Sequence, residues 1–147
     1  MKVIARNKKA TFNYFIEEKF EAGIALKGTE IKSIRASKVS IQDSYIRVKN
    51  NEAFIINMHI AKYKEGNIFN HDETRERKLL LHKKEIIKLS QVSTLERKTI
   101  VPIQVYIKEG LAKVEIAIAT GKKLYDKRQS LKEKDQNRHL EKIAKSL

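Results

Sequence analysis

The chain has no cysteine, which excludes disulfide staples, thiolate zinc sites and cysteine nucleophiles and fits a reducing cytosol. It has one proline and only five glycines. No apolar run approaches the roughly 18 residues a membrane span needs. The opening MKVIARNKKATF lacks the apolar centre of a signal peptide, so a soluble, cytoplasmic protein is expected. Catalytic signatures are missing too, with no HExxH, no glycine-rich phosphate loop and no nucleophile elbow. His59, His71, His82 and His139 are scattered. A ribonuclease-like pair such as His71 with Lys78 is the enzymatic alternative, against the commoner structural role of a lone loop histidine. No metal or cofactor is implied. Acidic residues are scarce, 18 against 32 Lys/Arg, which leaves a net charge of +14.

What is present suffices for one domain. At 147 residues and 41% hydrophobic, the chain can bury a core. Phe12, Tyr14, Ile16, Phe20, Ala22, Ile24 and Leu26 fall at strand spacing, as a hairpin turning near Glu18-Lys19 or as one long bent strand. Gly23 suits a bulge or a close approach there. Thr29 can cap a short helix with Ile31 and Ile34 on one side and Lys32 and Arg35 on the other. Ile46 and Val48 run into Asn50-Asn51, which tolerates positive φ, and Phe54, Ile56, Met58 and Ile60 return along one face. Residues 62–78 are polar and aperiodic, hence a loop with Arg75, Arg77 and Lys78 at its end. A helix follows through Ile86, Ile87 and Leu89, and Ser93 to Glu96 matches a capping box that opens a short second helix. Val101, Ile103, Val105 and Ile107 alternate, Lys108-Glu109-Gly110 turns, and Val114, Ile116 and Ile118 alternate back. Pro102 lacks an amide donor and belongs at an edge or a strand start. Antiparallel strands with short helices tucked between them point to a mainly β fold, an oligonucleotide/oligosaccharide-binding (OB) barrel over residues 1–120.

The remainder is different. Residues 121–147, GKKLYDKRQSLKEKDQNRHLEKIAKSL, carry nine Lys/Arg against four acids and have little to bury. This tail is expected to be disordered alone and to fold on a partner. It contributes +5, so the body itself carries +9. That balance points to a polyanion, nucleic acid first and an anionic membrane second. Cation clusters occur in ARNKKA (Arg6, Lys8 and Lys9), KSIR (Lys32 and Arg35), TRERK and GKK (Lys122 and Lys123). Such clusters bind phosphates through counterion release, without reading sequence; side chains such as Asn7 and Glu21 have donors and acceptors that could read a base or a 2′-hydroxyl, but nothing in the residue pattern singles these two out. Glu17-Glu18, adjacent on a strand, face opposite ways and read as solvated side chains.

The stretches ARNKKATFNYFIEEKFEAGIALKGTEIKSIRASKVSIQDSYI, TRERKLLLHKKEI and GKKLYDKR, in this order, resemble the small protein B, or SsrA-binding protein, family over essentially the whole chain. The resemblance implies a bacterial, non-enzymatic partner of transfer-messenger RNA (tmRNA, SsrA RNA) in trans-translation, which rescues ribosomes stalled on messages without a stop codon. It implies an OB barrel that clasps the RNA's tRNA-like domain and stands in for its missing anticodon arm. It also implies a tail that becomes helical in the empty mRNA channel of the small subunit. Alanyl-tRNA synthetase and elongation factor Tu act on the same RNA. The family's RNA contacts fall on Asn7, Glu21 and Leu80, and its decoding-centre segment on Tyr125, Asp126, Lys127 and Arg128. Two residues depart from the pattern: Ser37 stands where glycine is common and Glu73 where proline is common, both in loops. A general RNA-binding or ribosomal OB-barrel protein is the alternative reading.

Overall fold

The computed structural model describes residues 1–64, 70–96, 98–123, 127–129 and 131–132. Strand β1 (Lys2–Arg6) leads into a short helix α1 (Lys8–Asn13), and then into β2 (Tyr14–Ile24). Helix α2 (Gly28–Arg35) precedes β3 (Val39–Ser40), β4 (Tyr45–Lys49), β5 (Glu52–Ile56), β6 (His59–Ile60) and β7 (Arg77–Leu80). Helix α3 (Lys83–Leu95) and the hairpin of β8 (Thr99–Lys108) and β9 (Leu111–Gly121) complete the body.

Seven strands form one antiparallel sheet in the order β1-β8-β9-β2-β7-β5-β4, while β3 and β6 pair separately. The sheet curls until β4 lies against β8, which makes it a barrel. Inside sit Ala22, Ile24, Ile46, Ile55, Leu79, Val105, Val114, Ile116 and Ile118, capped by Ile34 of α2 and Leu89 of α3. This is the mainly β barrel with helices that the alternation calls for. A second small cluster, Ala10, Val101 and Ala119, seats α1 on the sheet.

The choice between a hairpin and one strand resolves in favour of the strand. β2 runs unbroken along β9 from Tyr14↔Gly121 to Gly23↔Lys113, bent by a register shift between Ile16 and Glu18. Phe12 lies in α1, not in a strand. Gly23 marks a close approach, since a Cβ there would lie 3.3 Å from the Leu80 Cβ across the β2–β7 pair. Glu17 and Glu18 do diverge, Glu17 to Lys98 at 2.9 Å and Glu18 to Lys88 at 2.5 Å.

Several local expectations are corrected. Helix α2 begins at Gly28, with Lys27 as its N-cap, so Thr29 is inside it; its hydroxyl instead meets His71 Nδ1 at 2.8 Å. The β4–β5 hairpin turns at Asn50 and Asn51 with φ of 51° and 61°, as read from sequence. On its return strand, however, Ala53 and Ile55 face the core, while Phe54 and Ile56 do not. Asn57, at φ 61°, shifts the phase by one residue and turns Met58 and Ile60 inward. Helix α3 continues through Ser93, so no second helix opens there; within the helix the Thr94 hydroxyl bonds back to the Ser90 carbonyl at 2.5 Å. Pro102 lies in the part of β8 beyond the reach of β1, which pairs only with Gln104 to Ile107, so its missing amide costs no ladder bond on that side. The barrel also runs past Thr120: Gly121 still pairs with Tyr14, and the Lys122 amide donates to the Asn13 carbonyl at 2.8 Å.

Candidate nucleic-acid interface

Successive residues of β2 point to opposite faces, so with Ala22 and Ile24 in the core, Glu21 and Gly23 face outward. β7 places Leu80 opposite Gly23 with Leu79 in the core; Leu80 is 55% exposed, unusual for a leucine beside a packed sheet. Glu21, Gly23 and Leu80 line one groove of about 570 Å³, together with Lys78, Lys113 and Glu85. A second groove of about 330 Å³ shares Gly23, Leu80 and Lys113 and continues over Leu26, Ile31 and Leu111 to Arg35. Arg35 Nη2 donates to the Gly110 carbonyl at 3.4 Å, tying α2 to the β8–β9 turn. Glu21, Leu80 and Arg35, far apart in sequence, thus share one continuous surface.

Glu21 is held at its place. The Tyr106 hydroxyl donates to its Oε2, and Lys108 Nζ lies 3.4 Å from the same oxygen. The Tyr106 hydrogen bond outweighs partial burial and, with Lys108 and Lys113, holds the Glu21 carboxyl below the usual carboxylate range. Burial, reinforced by Glu21, pushes the Tyr106 phenol up, so it stays a donor. Neither Tyr106 nor Lys108 nor Lys113 stands out in a search for cation clusters. The alternation of β8, with Val105 and Ile107 toward the core, does put Tyr106 and Lys108 on the outer face and was the available signal.

A second group of candidates lies at the opposite end of β2, nine residues or roughly 30 Å of extended chain along the bent strand. Asn7 is buried as the N-cap of α1: Oδ1 accepts from the Ala10 amide, and Nδ2 donates to the carbonyls of Pro102 at 3.0 Å and Ile41 at 3.3 Å. Its amide group is thus engaged within the fold. Lys8 and Lys9 follow on α1, exposed, with Lys9 3.4 Å from Asp43. Lys122 Nζ donates to the Thr11 carbonyl at 3.2 Å and lies 5.1 Å from the centre of the half-exposed Phe15 ring. Lys123 is next in the chain, and its carbonyl accepts from the Lys127 amide at 3.1 Å, beginning a helical stretch over 127–129 that includes Arg128. Tyr125, Asp126 and most of the tail lie outside the described residues. Lys32 turns elsewhere, 5.3 Å from the centre of the Tyr63 ring.

The TRERK cluster is not a basic surface. Arg77 is fully buried and, with Arg75, clasps the buried carboxylate of Glu30; Arg77 Nη1 also donates to the Met58 carbonyl at 2.6 Å. A buried guanidinium needs such a carboxylate, and α2 supplies it. Lys78 is exposed but paired with Glu52 at 3.3 Å. His71 does not form a catalytic pair with Lys78: it is buried, with Nε2 2.9 Å from the Ile60 carbonyl and Nδ1 against Thr29. Among the described residues no cluster of His, Asp and Glu could hold a metal ion, and no helix is long and apolar enough to cross a membrane.

Comparison with known proteins places the chain in a family. The family model described as SmpB protein matches residues 4–146. The SsrA-binding protein of Shouchella clausii is 57% identical over 144 residues, spanning 98% of this chain and 92% of its own length. That of Acholeplasma laidlawii is 56% identical over 145 residues, spanning 99% and 97%. Among solved structures, a chain of the one reported as "tmRNA-SmpB: a journey to the center of the bacterial ribosome" is similar with a TM-score of 0.71 and 42% identity, over 89% of this chain and 95% of that one. With a barrel of matching fold and a family match running almost end to end, this chain belongs to the SmpB protein family.

Proposed function

We propose that this chain binds the tRNA-like domain of transfer-messenger RNA and brings it to stalled ribosomes in trans-translation, as an RNA-binding factor and not an enzyme. The observation that carries the reading is the meeting of Glu21, Leu80 and Arg35 on one grooved face in a chain of this family. Leu80 offers apolar surface to a base or ribose, Glu21 accepts from a donor on the RNA, and Arg35 and Lys113 meet phosphates. Asn7 serves this function by fixing α1 and its Lys8 and Lys9, since its own amide is engaged inside the fold. The body takes the place of the absent anticodon arm. From Lys122 and Lys123 onward the tail, with Tyr125, Asp126, Lys127 and Arg128, reaches the decoding centre and the empty mRNA channel of the small subunit. The ribosome sets its location in the cytoplasm.

A titration at near-physiological salt tests this, with the tRNA-like domain of transfer-messenger RNA as ligand and an elongator tRNA as competitor. Strong preference for the former is the expected result. Equal binding to both, falling steeply with salt, would leave only a generic RNA-binding barrel.

A further inference from the structure

Glu21 has two carboxylate oxygens, and the fold uses one. The Tyr106 hydroxyl and Lys108 Nζ both converge on Oε2, while Oε1 accepts no hydrogen bond among the described residues. The two donors differ in kind. Lys108 is exposed on a flexible stem, whereas the Tyr106 ring is 3% exposed in β8, so its hydroxyl is a fixed point. A glutamate on an open strand would otherwise sample several rotamers, and ordering it would cost side-chain entropy at the moment of binding. The surroundings also matter. Lys108 and Lys113 favour phosphate beside Glu21, but a carboxylate repels phosphate where it sits, as do Glu52 and Glu85 along the same groove. What fits beside it is a donor, and Leu80 in the same groove provides the apolar surface for a flat ring.

We propose that Tyr106 is a positioning residue that presents Glu21 Oε1 to an amino or imino N–H of an unstacked nucleobase lying on Leu80. Resting on the RNA-binding reading of this face, the proposal adds both the class of group recognised and the residue that sets its geometry. The tyrosine does not touch RNA; it acts through the glutamate.

The test measures affinity of the full chain for the tRNA-like RNA in four forms: unaltered, Tyr106→Phe, Glu21→Ala and the double variant. Phenylalanine keeps the ring in place, and unchanged thermal midpoints establish that folding is intact. Tyr106→Phe should weaken binding by about five- to twenty-fold, less than the loss of a whole charge-assisted hydrogen bond because the glutamate itself is still there. In the Glu21→Ala background it should add nothing. The slope of log affinity against log salt should not change, because no phosphate contact is lost. If Glu21→Ala weakens binding and Tyr106→Phe does not, the positioning role is overturned while the site stands. An equal loss from Tyr106→Phe with and without Glu21 likewise overturns it. If both single variants bind like the unaltered chain, Glu21 is not part of the interface and the inference falls with it.

Discussion

Single residues carry the tightest turns of this fold. Ser37 follows the last turn of α2 with φ of 61°, its amide donating to the Ile34 carbonyl at 2.9 Å and the next amide to the Ser33 carbonyl at 2.9 Å. This is a left-handed helix terminus, where a Cβ costs roughly 1–2 kcal/mol and glycine is the usual solution. Ser37→Gly should therefore stabilise the protein by about 0.5–1 kcal/mol once the extra freedom of glycine in the unfolded chain is subtracted. Urea unfolding checks it, and an unchanged or lower midpoint would mean the serine is unstrained. This position was legible as a departure from the family pattern, and Asn50-Asn51 was legible as a turn. Asn57 was not, because Phe54, Ile56, Met58 and Ile60 alternate without a visible break and only the backbone reveals where the phase slips. At Glu73 the departure adds one contact that proline could not make, Oε2 lying 2.7 Å from His59 Nε2, while the bonds its carbonyl accepts from the Ile60 amide and Arg77 are open to any residue.

Elements are joined by a charge inside the protein. Glu30 of α2 is fully buried between Arg75 and Arg77 and also accepts from the Lys27 amide at 2.8 Å. Burial works against its charge, but Arg75, the Lys27 amide and Arg77 outweigh it and hold the carboxyl below its ordinary value of 4.5. A carboxyl lowered in the folded state contributes stability that is fully present above pH 4.5 and is lost as pH falls through the lowered value. Unfolding midpoints should accordingly drop below pH 4.5. Glu30→Gln should cost about 3–5 kcal/mol at pH 7, by stranding the buried Arg77 charge, and should flatten that acid-side drop. A variant with the same acid profile as the unaltered chain would remove Glu30 as its cause. None of this was legible, since TRERK reads as a cation patch until folding brings a carboxylate from 47 residues away. The alternating strands were legible because burial on one face forces period two. The end of α3 was not, because Ser93 to Glu96 reads the same at a helix start and inside a helix.

At the scale of the molecule, strand order came only with the structure, because β2 and β9 pair across about a hundred residues and alternation does not name a strand's neighbour. Alternation made a barrel expected and charge made a polyanion partner expected; the family resemblance added which residues were to meet the RNA. The two ends of that long pair are assigned different work: the Glu21–Leu80 groove near one end and the exit of the tail beside α1 at the other. Truncation after Lys123 keeps Gly121 paired with Tyr14 and Lys122 bonded to Asn13, so the shortened chain should bind the tRNA-like RNA with unchanged affinity and lose ribosome rescue. Tagging of stalled peptides by the truncated protein would show that the tail is dispensable. The same pairing has a mechanical side. β9 starts at Leu111, passes the Glu21–Leu80 groove at Lys113 and ends at Gly121. Antiparallel ladder bonds lie perpendicular to their strands. With RNA held at that groove and the tail anchored, as proposed, tension would run along β9 and load the ladder in shear, every rung at once, instead of peeling it open from one end.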